Sequence, residues 1–410
     1  MTPISHEQHK SWIKTPAVII TAGAIVLGFN MGIRQTFGLF LEPMTLDLGM
    51  SRGSFSLAIA VQNLLWGLLT PVFGGLADRF GTARCIAVGG FLYVLGIVIT
   101  ALGGSLFSLH LGAGVFIGIA VAACGYPLVL SSVARSVSEE RRSIALGIAA
   151  SGGSAGQFLL LPLTQVLISE LDWLGALLVL AVLTTAVIPL AFVLRGKAVS
   201  DASHASEATV FGSIRQAAAH RGFWLLNAGF FVCGFHVAFI ATHLPGYIVS
   251  IGLSPFVGAT ALSVIGFFNI LGGLAAGVLG AKFRKKYLLA GIYLARAAIM
   301  SMLLFGPKTD WTIFLFAGIF GFLWLSTVPL TSGLVGDIFG ARFLATLFGI
   351  VMCGHQLGAF FGAWFGGISY DLTGSYDAVW QVAILLGLLS AVLHWPIPDQ
   401  KLSPARAAPS

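Results

Sequence analysis

The chain has 410 residues, 57% of them hydrophobic and only 9% charged, where a water-soluble domain carries about 25% charged residues. With a mean hydropathy of +0.94, this composition excludes a soluble enzyme and describes a polytopic membrane protein. The net charge of +7 does not mark a nucleic-acid binder, because the basic residues fall in short loops between apolar runs and form no single patch.

An apolar run of about 20 residues crosses a bilayer as a helix. Twelve such runs follow one another, at 17–42, 53–76, 83–103, 108–133, 143–168, 173–194, 222–249, 256–280, 287–306, 311–334, 343–368 and 377–396. Residues 1–16 lack a charged-then-apolar leader with a cleavage site, so the first run is expected to be retained. One long polar stretch, 196–221, reads as a linker between an N-terminal half (1–195) and a C-terminal half (222–410). The predicted fold is therefore all-α: twelve transmembrane helices in two six-helix halves.

Sidedness follows from the basic residues. Of the 22 lysines and arginines, eighteen fall on the side of the N-terminus and only Arg52 and Lys308 on the other. By the positive-inside rule both termini are expected in the cytoplasm, with the chain in the inner (cytoplasmic) membrane. No Walker-type glycine loop, paired catalytic acid or nucleophile triad is present, so neither enzymatic chemistry nor ATP drive within this chain is expected. Cys85, Cys124, Cys233 and Cys353 are scattered through apolar runs without disulfide or metal spacing, and no metal or cofactor is expected. His6 and His9, in the polar N-terminal tail, are too weak a pattern for a metal site.

Two arginines remain, Arg34 in the first run and Arg296 in the ninth. An unpaired guanidinium at such depth costs about 3 kcal/mol on insertion scales. All fifteen acidic residues lie in tails, loops or helix ends, the nearest to the interior being Glu42. Buried charges are normally paired. A cavity with fixed positive charge and no fixed negative charge suits an anionic ligand, so Arg34 is expected to hold a substrate carboxylate. Arg296 is left between helix support and ligand contact. Asn30, Tyr126, Gln157, His236, Asn269, His355 and Gln356 are polar groups near mid-depth and stand as further substrate-binding candidates. Histidine titrates near neutral pH, which makes His355 either a proton site or a neutral tie between helices. His243 is assigned a structural place beside the Pro245 kink.

The halves repeat. Gly147–Gly156 in the fifth run matches Gly349–Gly358 in the eleventh, with glycines coinciding at three positions, and Leu76–Phe80 matches Leu279–Phe283 at nearly the same offset. This is a parallel repeat, as in two-halved secondary transporters, and small residues at such spacing let helices approach closely.

The loop Gly74-Gly75-Leu76-Ala77-Asp78-Arg79-Phe80-Gly81-Thr82-Ala83-Arg84 closely resembles the signature loop of the major facilitator superfamily. That resemblance implies a gating latch in which Asp78, Arg79 and Arg84 hold and release neighbouring helices. In the second half Ala281 and Lys282 stand where Asp78 and Arg79 do, so that copy lacks its acid. Within the superfamily, Arg34-Gln35-Thr36-Phe37-Gly38-Leu39-Phe40 looks like the first helix of the monocarboxylate and oxalate–formate porters. The same resemblance places a basic residue in helix eleven, a role open to His355. One departure is the eighth run, Ala261–Ile270, which carries Asn269 but none of the charge found there in many monocarboxylate porters.

The resulting expectation is a secondary active transporter of a small organic anion, a monocarboxylate first of all. It would work by alternating access with a coupled proton, as a monomer in a lipid bilayer and with no nucleic-acid partner. The alternative is an efflux transporter for hydrophobic or cationic compounds, against which the acid-free interior argues. A non-transporting membrane sensor ranks third.

Overall fold

The computed structural model describes residues 15–195, 207–340 and 344–401. His6, His9, residues 196–206 of the linker and Arg342 lie outside the described residues. Eleven helices among those described are long and apolar enough to cross a bilayer. One of them, Glu139–Val193, has 55 residues, which at 1.5 Å each would extend about 80 Å, far beyond a hydrocarbon core of about 30 Å. It breaks at Asp172, whose backbone turns to φ 60° and ψ −177°. The Asp172 carboxylate then accepts from the backbone N–H groups of Leu174 (2.8 Å) and Gly175 (3.0 Å), capping a new helix start. Twelve spans result, as the hydropathy requires.

In chain order the spans are α1 (Pro16–Asp47), α2 (Arg52–Phe80), α3 (Thr82–Gly103), α4 (Leu106–Ser136), α5 (139–171) and α6 (173–193). After a short helix, Glu207–Ala218, come α7 (Arg221–Ser250), α8 (Pro255–Lys282), α9 (Lys285–Phe305), α10 (Asp310–Phe339), α11 (Leu344–Thr373) and α12 (Asp377–His394). The described residues form no strand. Two spans are interrupted at matching places, α4 at Cys124–Gly125 and α10 at Leu325–Ser326, which extends the internal repeat from sequence to backbone.

The repeated glycines explain the tightest packing. A Cβ on Gly28 of α1 would lie 3.1 Å from the carbonyl oxygen of Gly152 on α5, and Gly156 is pressed on the Gly28 backbone. In the other half Gly358 of α11 is pressed on the Phe231 carbonyl of α7, and a Cβ on Gly354 would lie 3.1 Å from the Asn227 side chain. Lipid supplies no hydrophobic drive between helices, so this backbone-to-backbone contact is what holds α5 to α1 and α11 to α7. The same glycines therefore serve packing in both halves.

The ends of the bundle differ. One, the basic face, carries Arg79, Arg84, Arg135, Lys282 and Lys285; the far face carries Arg52 and Lys308. Between them α2 runs beside α11 and α5 beside α8, and both pairs meet toward the far face.

Candidate functional site

Arg34 lies on α1 and is only 9% exposed. Its Nη2 donates to the side-chain oxygen of Asn63 on α2 in a short hydrogen bond. Asn63 is itself oriented by donating from Nδ2 to the Ile59 carbonyl one turn back (2.8 Å), so its oxygen faces the arginine. One turn further on, the Trp66 ring lies 4.8 Å from the Arg34 guanidinium carbon, a cation–π stack. The Nε of Arg34 is buried without a hydrogen-bond partner. None of the ion pairs among the described residues includes Arg34. A guanidinium held by one neutral amide and one aromatic face keeps its positive charge and an unmet donor.

The other interior arginine has a different fate. Arg296 is fully buried and donates from Nη2 to the carbonyls of Leu323 (2.7 Å) and Trp324 (2.8 Å), and from Nη1 to the Sγ of Cys233 (3.4 Å). Those carbonyls are the ones freed where α10 breaks, so the guanidinium caps a helix C-terminus. The open choice for Arg296 falls to helix support.

The polar candidates separate in the same way. Asn269 accepts from the Leu325 N–H (2.8 Å) at that same break. His236 donates to the Ala383 carbonyl of α12 (2.8 Å), and Gln157 donates to the Leu262 carbonyl of α8 (3.2 Å). The Asn30 side-chain N–H donates to the Val121 carbonyl (3.4 Å), while the Asn30 backbone carbonyl accepts from the Tyr93 hydroxyl (3.0 Å). These four tie helices together, and none makes a hydrogen bond to Arg34. Tyr126 begins the second part of α4, its hydroxyl pressed toward Gly153. His355 is half-buried on α11, with Nδ1 2.9 Å from the Gln356 side-chain oxygen and its ring 4.8 Å from that of Phe230. Gln356 packs against Gly67 of α2, one residue from Trp66. His243 donates to the Ala363 carbonyl (2.7 Å), in keeping with its structural assignment.

At the basic face Asp78, Arg79 and Arg84 are exposed. Asp78 lies within electrostatic reach of Arg135 at the end of α4, and Arg79 stacks 5.2 Å over Phe80. In the second half, Asp337 at the end of α10 pairs with Lys285 at the start of α9 at 2.7 Å. At the far face Arg52 pairs with Glu42, donates to the Tyr376 hydroxyl (2.7 Å) and lies 3.8 Å over the Tyr370 ring. Asp371 accepts from the backbone N–H groups of Arg52 (3.0 Å) and Gly53 (2.7 Å). This latch joins α1 and α2 to α11 and to the turn before α12 at the far face.

Sequence reading missed Asn63, Trp66 and the Arg52 latch. The adjacent polar pair Gln62-Asn63 within an otherwise apolar run was the available signal for the first.

Comparison with known proteins places this architecture. The chain is 27% identical over 399 residues to mouse (Mus musculus) monocarboxylate transporter 11, covering 93% of this chain and 87% of that one. It is 27% identical over 369 residues to the MFS-type transporter YhjX of Escherichia coli, covering 88% of each. Among solved structures, a bacterial homologue of the human lysosomal transporter Spinster, inward-facing and unoccupied, superposes with a TM-score of 0.75 at 17% identity, covering 95% of this chain and 99% of that one. The D-xylose–proton symporter superposes at 0.73 and 14% identity, covering 94% and 98%. The profile of the Major Facilitator Superfamily matches residues 22–327 and 260–410, and the chain belongs to that family of transporters.

Proposed function

We propose that this transporter carries a small organic anion, a monocarboxylate, together with a proton. The observation that carries the reading is Arg34: a buried guanidinium with an unmet donor and, among the described residues, no acid to neutralise it. Arg34 binds the carboxylate, Asn63 holds the guanidinium in place, and Trp66 shields one of its faces so that the anion enters along the edge. With Arg296 engaged at the α10 break, Arg34 is the one interior arginine among the described residues left to receive substrate, which favours a monoanion over a dianion. The similarity to transporters named for monocarboxylates supports the same class.

His355, beside Gln356, is the proton site. Moving one anion with one proton transfers no net charge, so uptake avoids the roughly 2.3 kcal/mol per charge that a 100 mV potential imposes. The two halves, divided at 196–221, rock about this site as a monomer in the inner membrane. The basic face and both termini lie in the cytoplasm, and Asp78, Arg79 and Arg84 steady the closed basic face.

The test is uptake into proteoliposomes across a panel of short carboxylates. Arg34→Gln abolishes uptake while leaving thermal unfolding in place, and His355→Gln leaves anion exchange but removes its drive by a pH gradient. Near-normal carboxylate flux in Arg34→Gln refutes the site. Export of a cationic dye against its gradient refutes the substrate class.

A further inference from the structure

Glycines on α2, α5, α8 and α11 that are not packed within their own half fall into two sets. Toward the far face they are pressed against the opposite helix: a Cβ on Gly67 would lie 2.7 Å from that of Gln356, one on Gly53 2.7 Å from the Asp371 carboxylate, and one on Gly266 3.0 Å from the Gln157 side chain. Toward the basic face, a Cβ on Gly74, Gly75, Gly147, Gly273, Gly277 or Gly349 would meet nothing within 4 Å. Glycine weakens a helix relative to alanine, and close helix approach is the usual return for it. In this conformation none of the six makes such an approach.

Register identifies the missing partners. Helices α2 and α11 run antiparallel, Gly53 beside Asp371 and Gly67 beside Gln356, so each step along one is a step back along the other. Seven residues past Gly67, two helical turns, lies Gly74; seven before Gln356 lies Gly349. In α5 and α8, Gln157 and Phe158 sit beside Leu262, Ser263 and Gly266. Eleven residues, three turns, before Phe158 lies Gly147; eleven past Leu262 and Gly266 lie Gly273 and Gly277. Charge follows the same register. Five turns before Phe158 lies Glu140, and the matching end of α8 carries Lys282. Glu139, Glu140 and Lys282 are all exposed, and none has an ion-pair partner among the described residues.

We infer that in a second conformation the basic face is closed by two glycine seams, Gly74 on Gly349 and Gly147 between Gly273 and Gly277, with Glu139 and Glu140 drawn against Lys282 at the end of the second. The inference rests on the alternating-access reading of this family member, not on the identity of its cargo. Glycine at these positions lets the helices meet backbone to backbone, leaving no channel between the halves.

Paired cysteines test it, in a chain whose four native cysteines are replaced by alanine. Gly74→Cys with Gly349→Cys, and Gly147→Cys with Gly277→Cys, each form a disulfide under mild oxidation in membranes, because closure brings the Cα atoms within about 7 Å. The mismatched pair Gly74→Cys with Gly277→Cys does not. A second test uses Gly349→Leu, whose side chain the present open space accommodates. It leaves thermal unfolding unchanged but lowers labelling of Ser56→Cys from the far face about tenfold, since the chain is held with its basic face open. Gly291→Leu, on α9 away from the seams, leaves labelling unchanged. Failure of both matched pairs to cross-link, or wild-type labelling in Gly349→Leu, overturns the seams. Neither readout uses a substrate, so these failures are distinct from a failure of the carboxylate assignment.

Discussion

The Arg34 guanidinium donates to the side-chain oxygen of Asn63, a neutral amide on the neighbouring helix, and the half-buried Trp66 ring stacks on the arginine. A neutral partner leaves the positive charge available. Asn63→Asp would supply a built-in counter-ion at the same position, and it is expected to suppress carboxylate uptake at least tenfold without unfolding the protein. A charge-assisted hydrogen bond contributes about 1.5–3 kcal/mol, enough for that loss once the substrate must displace it. Concentration-dependent uptake in proteoliposomes, with thermal unfolding measured in parallel, checks it; unchanged uptake would mean that Arg34 does not receive the anion.

Arg296 predicts the opposite pattern. Replacing it with methionine strips the Leu323 and Trp324 carbonyls of their donor in a buried setting. The expected cost is about 3 kcal/mol, seen as a melting temperature lower by several degrees. Lysine should rescue little, because a compact ammonium does not reproduce the fork that spans two carbonyls and a thiol. Protein that does insert should keep its apparent affinity for substrate. A large rise in KM with unchanged melting would return Arg296 to the binding site.

The Arg52 latch bears on which face is open. Arg52→Gln removes the pair with Glu42 and the stack on Tyr370, releasing α2 from α11 and α12. The expected result is faster labelling of Ser56→Cys by an impermeant maleimide from the far face. Slower labelling would show that the latch does not hold this face shut.

At the basic face, the end of the described chain is clamped to the α8–α9 loop. Arg284 forks onto Asp399 at 2.5 and 2.9 Å, and Lys286 donates to the Ile397 carbonyl at 2.8 Å. Bonding to Arg284 lowers the Asp399 carboxyl below its ordinary 3.8. A depressed carboxyl contributes stability above its unfolded value and loses it as pH falls through the folded one. The clamp should therefore hold at neutral pH and release progressively below about pH 4. Hydrogen exchange of residues 395–400, corrected for its intrinsic pH dependence, should show that loss of protection in the wild type and a flat profile in Asp399→Asn.

Reading from sequence alone succeeded where a property belongs to a short stretch: the break at Asp172 fell between two runs each long enough to span. His236, Asn269, Gln157 and Asn30 are each polar and at mid-depth, and each is bonded to the backbone of another helix. Nothing in the local sequence separates a polar group facing the space between the halves from one facing a neighbouring helix. That depends on how each helix is rotated about its axis.

The twelve spans, the asymmetry of charge and an interior with two cations and no acid are written in the chain itself, because hydropathy and charge act residue by residue against lipid and water. That the two cations differ emerges only from the packing of the helices. Arg296 meets carbonyls released by a break in α10, and Arg34 meets an amide and an indole on α2, partners brought to them by packing between residues far apart in the chain. A buried guanidinium is defined by what surrounds it, and its surroundings exist only once the helices have assembled.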